Sequence, residues 1–302
     1  MPTIREELRR RTALSRPTVR MRTARVVRAV DLTPRMRRVV LDGDDLADLA
    51  GGLPADAWKF MLPPPGHDRV ELPVVGPDGV PGYPEGAAVP VLRALTVRRF
   101  DAAAGELTVD VFVHGASPAG DWARSARPGS SVALAGPRHS FFASPEADWY
   151  LFAGDETALP AVAAALESLP ATARAVALVE TADESDRVEI GGPAAAEVVW
   201  LHRRGTAAAG SRLLEKAVRG LDLPFDGAQA WLAGEAGVVR AVRRHLLDER
   251  GLTRDRLHAA AYWKEGHTSD QRDVEVLAAY QEALERGGDQ DDPQLTLEAE
   301  LA

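Results

Sequence analysis

The segment 149–162 constrains the fold of this chain more than any other, because it joins a buried strand to the start of a helix. Its sequence, WYLFAGDETALPAV, begins with an apolar run, and Pro160 suits the first turn of an Ala- and Leu-rich helix. Asp155, Glu156 and Thr157 offer oxygens that can cap this helix. Ligands of parallel α/β sheets bind at such junctions, although most strand-to-helix turns bind none.

The second half of the chain alternates predicted strands with predicted helices. Strands are expected at 149–153, 173–180, 198–201, 230–233 and 257–262, and helices at 159–169, 211–219 and 238–250. This alternation predicts a parallel sheet with crossover helices.

The first half has strand patterns without intervening helices. Strands are expected at 24–30, 36–41, 58–62, 94–100 and 106–114, separated by turn signals rich in Asp, Gly and Pro. A small antiparallel barrel fits this pattern best. Residues 63–90 are rich in Pro and Gly and predict a long loop, either a binding lid or a hairpin excursion.

Length and composition exclude several classes of protein. With 302 residues, 45% of them hydrophobic, the chain predicts about two domains. It has no apolar run of membrane-spanning length and no apolar segment near its N-terminus, so we expect a cytoplasmic protein without membrane insertion. Cys is absent, which excludes thiolate chemistry and cysteine-bound clusters. Redox work would therefore need an organic cofactor or a partner.

Charge and histidine spacing exclude further functions. The net charge of −9 argues against nucleic-acid binding, although arginines crowd the first forty residues. Those arginines predict a solvated arm in preference to an anion site, and residues 287–302 predict a mobile tail. The seven histidines show no metal-ligand spacing, and neither a phosphate-binding P-loop nor a Gly-x-Ser-x-Gly elbow is present, so no metal site is expected.

Six motifs stand in order along the chain: WKFMLP at 58–63, RALTVR at 93–98, VFVHGASPAGDW at 111–122, GDETALP at 154–160, WLAGE at 231–235 and AYWKEG at 261–266. Taken together, they resemble the siderophore-interacting protein family of FAD-dependent ferric-siderophore reductases, within the ferredoxin-reductase-like superfamily. The resemblance covers residues 23–266. It implies an Arg-rich arm at 1–22, an FAD-binding β-barrel at 23–144, an α/β NAD(P)H-binding domain at 145–266, and a C-terminal helix with an acidic tail at 267–302.

The resemblance implies an FAD site built mainly from the barrel. The motif at 93–98 matches the family's flavin-binding strand, and the motif at 114–122 matches its pyrophosphate-binding turn. Leu95 departs from the pattern, because the family has a Tyr there that is expected to stack on the flavin ring. The candidate barrel residues are Arg93, Ala94, Leu95, Thr96, Val97, His114, Gly115, Ser117, Pro118, Ala119 and Trp122. Asp121 would cap the helix or face away, and Trp122 could instead be core.

The resemblance places further cofactor contacts in the second half. Thr157 is the preferred polar contact on the nicotinamide side, and Glu235, Tyr262 and Trp263 would form the other wall, although an aromatic pair on a buried strand is more often core. Glu180 and Thr181 could bind the ribose of NADH, whereas Arg203 and Arg204 could bind the 2′-phosphate of NADPH. The balance leans slightly toward NADPH, and some relatives use NADH or ferredoxin.

Lys59, Arg138 and Lys264 match positions around the flavin edge and would form a basic rim for anionic ferric siderophores. The resemblance thus implies electron transfer from NADPH or NADH through FAD to Fe(III) in a siderophore, with no catalytic side chain required. One alternative is a flavin reductase with a protein or another small molecule as acceptor. Another is a redox-inactive module that binds flavin or siderophore.

Overall fold

The fold is described from a computed structural model. It describes residues 3–15, 20–47, 49, 52, 54–75, 81–115, 117–289 and 293–301, and it forms two compact units. The barrel unit contains the described residues within 18–52 and 56–138. The sheet unit contains those within 1–17, 53–55 and 139–302.

Helices and strands follow one another in an order that separates the two units. The first elements are α1 (Ile4–Ser15), β1 (Arg22–Thr33), β2 (Met36–Asp42), β3 (Ala57–Leu62), β4 (Val74–Val75), β5 (Pro81–Gly82), β6 (Val91–Asp101), β7 (Glu106–Phe112), α2 (Pro118–Ser125) and β8 (Ser131–Arg138). Then follow β9 (Trp149–Gly154), α3 (Leu159–Ser168), β10 (Arg174–Thr181), β11 (Ala195–His202), α4 (Leu213–Arg219), β12 (Ala228–Glu235), α5 (Ala236–Arg244), β13 (Leu257–Trp263), α6 (Ser269–Glu285) and α7 (Pro293–Leu301).

The barrel unit is a closed six-stranded barrel in the order β1-β2-β7-β6-β3-β8, with antiparallel pairing throughout. Trp58, Phe60 and Leu62 alternate along β3 and are buried in its core, which is the period of two that the sequence shows. Each fully buried side chain of this size contributes about 1.5–3 kcal/mol through burial of apolar surface.

The sheet unit contains a parallel five-stranded sheet in the order β11-β10-β9-β12-β13. Every residue of β9 and β12 is buried, as expected for central strands with apolar residues on both faces. The two-part fold class predicted from the sequence is therefore confirmed. Among the described residues, no helix combines the length and apolar character needed to cross a membrane.

Two details of the barrel differ from the sequence predictions. Strand β8 was not predicted, because Gly136 and Pro137 within it suggest a turn, yet its pairing with both β1 and β3 closes the barrel. Strand β7 ends at Phe112 and not at His114, since its partner β2 begins at Met36 opposite Phe112. Within the predicted loop 63–90, β4 and β5 pair as a short hairpin, and residues 76–80 lie outside the described part.

The N-terminal arginines belong to a helix and not to a solvated arm over residues 4–15. Helix α1 buries Leu8 and Glu7, and Glu7 accepts hydrogen bonds from Arg10 and Arg11. The bond from Arg10 is the main cause that lowers the pKa of Glu7 to about 2. Sequence reasoning missed the helix because only one large apolar residue of α1 is buried. Residues 1, 2 and 16–19 of the predicted arm lie outside the described part.

The predicted mobile tail is also wrong where the structure describes it. Helix α7 buries Ala299 and Glu300, and arginines from two other helices bind its last carbonyl groups. Arg272 donates to the Glu300 carbonyl (2.8 Å) and Arg240 to the Leu301 carbonyl (2.9 Å). Such contacts satisfy carbonyls that a helix C-terminus leaves open. Residues 290–292 and 302 of the tail lie outside the described part.

Candidate functional site

The order of the parallel strands marks one edge of the sheet as a candidate site. Chain order runs outward from β9 through β10 to β11 on one side and through β12 to β13 on the other. Ligands of open α/β sheets bind at such a switch point, beyond the carboxyl ends of the strands. Here β9 ends at Gly154 beside Ala233 of β12, and Asp155, Glu156 and Thr157 follow. We call these last three residues the sheet turn.

Asp155 organises the sheet turn from a buried position. Its Oδ1 accepts from the Thr157 N–H (2.9 Å) and the Thr157 hydroxyl (2.5 Å), and its Oδ2 accepts from Nε1 of Trp263 (2.7 Å). Burial raises the pKa of the Asp155 carboxyl, and these hydrogen bonds oppose the shift. Asp155 thus stabilises the turn ahead of α3. The Thr157 hydroxyl uses its proton on Asp155, so toward a ligand it can act as an acceptor.

Glu156 does not cap the helix, contrary to the sequence prediction. Its carboxylate pairs with the buried Arg203 guanidinium, which also bonds Glu180 Oε1 (3.4 Å). Glu180 Oε2 accepts from the N–H of Leu214 (3.2 Å). Burial lowers the pKa of Arg203, but its bonds to the two carboxylates outweigh that effect and raise it. The arginine therefore stays charged between two buried carboxylates.

The predicted ribose-binding residues are occupied by the protein itself. Arg203 and Glu180 bind each other, and the buried Thr181 hydroxyl donates to the Asp183 carbonyl (3.2 Å) and contacts His202 Nδ1 (2.9 Å). Arg204 is exposed, with a φ of 49°. Three of the four candidates thus bind other parts of the protein at the strand ends, and Arg204 is the exposed one.

The other wall of the sheet edge contains Glu235, Tyr262 and Trp263. Glu235 caps α5, because its Oε2 accepts from the N–H groups of Gly237 (2.6 Å) and Val238 (3.0 Å). Both bonds use Oε2, and the cofactor contact predicted for Glu235 stays a prediction. Tyr262 packs edge-on against Trp231, whereas Trp263 binds Asp155, and both are partly exposed.

The barrel unit has a second strand-to-helix turn, formed by His114, Gly115, Ser117 and Pro118. We call these four residues the barrel turn. The exposed His114 ring stacks on Phe112, with centroids 5.1 Å apart. Gly115 has a φ of 39°, which favours glycine.

The start of helix α2 explains the residue pattern of the barrel turn. Ser117 is its N-cap and accepts from the N–H of Gly120 (3.2 Å), and Pro118 takes the first helical position. Asp121 does not cap; it pairs with Arg124 (2.6 Å), which also donates to the Gly115 carbonyl (2.8 Å). Ala119 and Trp122 pack with the barrel core. Trp122 is only 4% exposed, so it is core and offers a cofactor no surface.

The side chains of the predicted flavin-binding segment 93–98 lie on both faces of β6. Ala94 and Thr96 lie opposite Lys59 and Ala57 of β3. Arg93 and Leu95 lie opposite Phe60 and Trp58, which belong to the core. Leu95 and Val97 pack against that core, and the buried Arg93 donates to the Leu92 carbonyl (2.6 Å). Side chains directly opposite share a face, so Ala94 and Thr96 are on the outer face.

The three residues of the predicted basic rim are divided between the two units, with two of them in the barrel unit. Lys59 lies opposite Ala135, and Arg138 lies opposite Ala57, so both residues are on the outer face of the barrel with Ala94 and Thr96. Lys264 belongs to the sheet unit, where its Nζ lies 3.8 Å from Glu275 Oε2 of α6. The barrel thus brings two of the three cations onto one face.

Sequence reasoning missed the residues that hold the two turns in shape. Arg124 could have been found, since it follows Asp121 by three residues on one helix. The partnership of Arg203 with Glu156 and of Asp155 with Trp263 joins residues 47 and 108 positions apart. No local pattern predicts such contacts.

Comparison with known proteins assigns the chain to a family. A model of siderophore-interacting proteins matches residues 147–266, and a model of the siderophore-interacting FAD-binding domain matches residues 25–141. The ferric vibriobactin reductase ViuB of Vibrio cholerae is 34% identical over 247 residues, which are 81% of this chain and 89% of that protein. The chain belongs to the siderophore-interacting protein family. This confirms the resemblance found in the sequence.

Two further proteins are similar to this chain over comparable lengths. A siderophore utilization protein from T. fusca is 39% identical, with a TM-score of 0.73 over 83% of this chain and 95% of that one. The NADPH-dependent ferric-chelate reductase of Escherichia coli is 29% identical over 251 residues, 82% of this chain and 94% of that protein. The FAD-binding model covers both the flavin strand and the barrel turn.

Proposed function

We propose that this chain is an FAD-dependent oxidoreductase that passes electrons from NADH or NADPH through flavin to Fe(III) in a ferric siderophore, and so releases the iron. In this proposal, residues 23–144 bind FAD and residues 145–266 bind the nicotinamide. The observation that carries it is the match of the FAD-binding model over 25–141, together with the reductase named above at 34% identity.

The chemistry of the barrel turn fits the diphosphate of FAD. The nearby Asp121 carboxylate is neutralised by Arg124, and Gly115 has no side chain that would block close approach. The N-terminus of α2 adds the favourable end of a helix dipole. We propose that His114, Gly115, Ser117 and Pro118 bind the diphosphate.

The outer face of β6 fits the flavin ring, because Ala94 is a small, exposed side chain there and the hydroxyl of the largely buried Thr96 lies on the same face. Bound FAD would accept an electron pair from a nicotinamide and release single electrons to Fe(III). The protein then needs to position the reactants and exclude water, and no acid or base side chain is required. We propose that the Thr157 hydroxyl accepts a hydrogen bond from the nicotinamide carboxamide and that Trp263 covers the flavin.

The substrate contacts in this proposal are cationic. Lys59, Arg138 and Lys264 would attract an anionic ferric siderophore to a chain whose net charge is −9. Lys59 and Lys264 are two of the three lysines in the sequence, which otherwise uses arginine for its positive charges.

The buried contacts at the strand ends bear on the choice of electron donor. Arg203 and Glu180 bind each other, so neither is available to distinguish a 2′-phosphate from a 2′-hydroxyl. Of the two arginines behind the slight preference for NADPH, only Arg204 is exposed and could meet a 2′-phosphate. We propose that NADPH or NADH is the donor, and that a reduced ferredoxin is the alternative donor.

A second candidate function rests on Leu95. Its side chain packs against the barrel core, so the position expected to present a Tyr to the flavin presents no aromatic face. This observation favours a module that binds flavin or siderophore without redox turnover.

Anaerobic spectroscopy distinguishes these functions. The purified protein is expected to be yellow, to lose its flavin absorption on addition of NADH or NADPH, and to regain it when an anionic ferric siderophore is added. A flavin that is reduced but reoxidised only by a protein or another small acceptor would favour the alternative reductase. A flavin that neither NADH, NADPH nor ferredoxin reduces would favour the binding module, and a protein that takes up no FAD would refute the proposal.

A further inference from the structure

A hydrogen bond joins two strands of the parallel sheet across the strand between them, at the carboxyl edge. Asp155 follows β9, Trp263 ends β13, and β12 lies between these two strands. Nε1 of Trp263 nevertheless donates to Asp155 Oδ2 at 2.7 Å. The bond therefore passes over the end of β12.

Gly234 makes this crossing possible. It is next to last in β12 and has a φ of 147°, and a β-carbon there would come within 2.8 Å of Asp155 Oδ2. Any other residue would place atoms where the carboxylate lies. The glycine thus leaves room for the Asp155 carboxylate to reach Trp263 over the end of β12.

The end of β13 is shaped to meet the carboxylate. Gly234 pairs with Ala261, but Glu235 pairs with Trp263, so Tyr262 is an extra residue in the strand. Bulges of this kind redirect the side chains that follow them. Here the bulge immediately precedes Trp263, whose ring remains partly exposed.

The carboxylate itself is held in one orientation. Thr157 donates to Oδ1 through its N–H and its hydroxyl, which leaves Oδ2 for Trp263. Asp155 is 7% exposed, so water competes little for either oxygen. An aromatic ring fixed along one edge in this way has less freedom to turn than a ring held by packing alone.

We propose that Asp155 is a positioning residue, which fixes the Trp263 indole through this hydrogen bond so that the ring presents one set face to the bound flavin. The inference rests on the proposed flavin function, because a fixed indole matters only if the ring faces the flavin. The hydrogen bond between Trp263 and Asp155 can be tested separately in the protein without flavin.

The first test measures the indole N–H of Trp263 in the flavin-free full chain by NMR, with Trp263→Phe used to assign the resonance. Asp155→Asn is expected to shift this resonance and to speed its hydrogen exchange by about tenfold or more, because an amide has one acceptor oxygen and cannot accept from both Thr157 and Trp263 as the two carboxyl oxygens do. Glu156→Gln is the matched control, because the Glu156 carboxylate is next to Asp155 in the chain but binds Arg203. This variant is expected to leave the resonance unchanged. An unchanged resonance in Asp155→Asn would overturn the proposal.

Gly234→Ala provides a second variant that does not alter either partner. The added methyl group is expected to displace the carboxylate and to reproduce the shift seen with Asp155→Asn. This variant also decides the matter if Asp155→Asn does not fold. A Gly234→Ala protein that folds with the wild-type resonance would contradict the proposed geometry.

The second test measures the fluorescence of bound FAD, which a stacked indole quenches. Trp263→Phe and Asp155→Asn are each expected to increase the emission, and the double variant is expected to increase it no further than Trp263→Phe. Additive increases would overturn the positioning role. A chain that binds no FAD, while its indole resonance responds as expected, would refute the flavin function and leave the contact established.

Discussion

The two turns of this protein each lead from a strand into a helix, but their charged groups are arranged in opposite ways. In the barrel turn, the polar groups are exposed and the local acid, Asp121, is neutralised by an arginine at the surface. In the sheet turn, two carboxylates are buried and their hydrogen-bonding capacity is used by Thr157, Trp263 and Arg203. An anion is favoured at the first turn and disfavoured at the second.

This difference suggests a division of roles. A helix N-terminus attracts phosphate only where the turn before it brings no uncompensated negative charge. The sheet turn instead suits an uncharged ring or carboxamide, for which fixed acceptors are useful. We therefore assign the diphosphate to the barrel turn and the redox-active ring contacts to the sheet turn, as part of the proposed function.

The largest expected effect comes from the arginines that stabilise the two turns. Arg203→Ala is expected to cost about 3–5 kcal/mol of unfolding free energy, because it leaves Glu156 and Glu180 buried without their cation. Arg124→Ala, at the barrel turn, is expected to cost about 1 kcal/mol or less, since its ion pair is exposed. Chemical denaturation measures both. Equal losses would show that the two turns do not differ in the way described.

A smaller effect is expected at Ser117, where stability and cofactor binding can be separated. Ser117→Ala should cost about 1 kcal/mol through loss of the N-cap. Ser117→Asp restores a cap but adds a carboxylate, so FAD affinity should fall about tenfold, or about 1.4 kcal/mol, while stability recovers. Calorimetric titration with FAD measures the affinity. Unchanged affinity in Ser117→Asp would place the diphosphate elsewhere.

The burial of Asp155 in the sheet turn should also make the stability of the protein depend on pH. Burial raises the pKa of Asp155 in the folded state above its unfolded value. The contribution of Asp155 to the free energy of unfolding is therefore fully present below its pKa in the unfolded state. It is lost as the pH rises through its pKa in the folded state. Relative to the wild type, Asp155→Asn should become less destabilising as the pH rises from about 4. A difference that grows with pH would contradict the raised pKa.

The smallest effect is expected for the basic rim. Lys59→Ala combined with Lys264→Ala should slow turnover of an anionic ferric siderophore a few-fold at low salt and less at high salt, while the FAD content stays intact. Lys216→Ala on α4 removes the remaining lysine and is the control, because its side chain is exposed on another part of the sheet unit. Unchanged turnover in a folded double variant would exclude the rim.

Much of the fold could be predicted from local patterns. Residues 149–154 are apolar throughout and are a central strand, and the alternation along β3 predicts its buried face. Predictions failed where stability comes from distant partners. Helix α1 depends on charge pairing around Glu7, helix α7 on arginines that bind its carbonyls, and strand β8 on two neighbours that override its Gly and Pro.

The candidate site divides in the same way. Sequence motifs located the barrel turn and the sheet turn, because glycine, proline and capping residues act within a few positions of one another. Which carboxylate caps, which binds an arginine, and which reaches an indole could not be predicted, since those contacts join residues on different strands.

The sequence by itself determined the two-part fold, the family and the position of both turns, since periodicity and turn chemistry are local properties. Only the tertiary structure decided that Arg203 is an internal counter-charge, that Glu235 caps a helix and that Asp155 reaches Trp263 over Gly234. The physical reason is that a buried charge takes whichever partner the packing of the strands brings within hydrogen-bond distance.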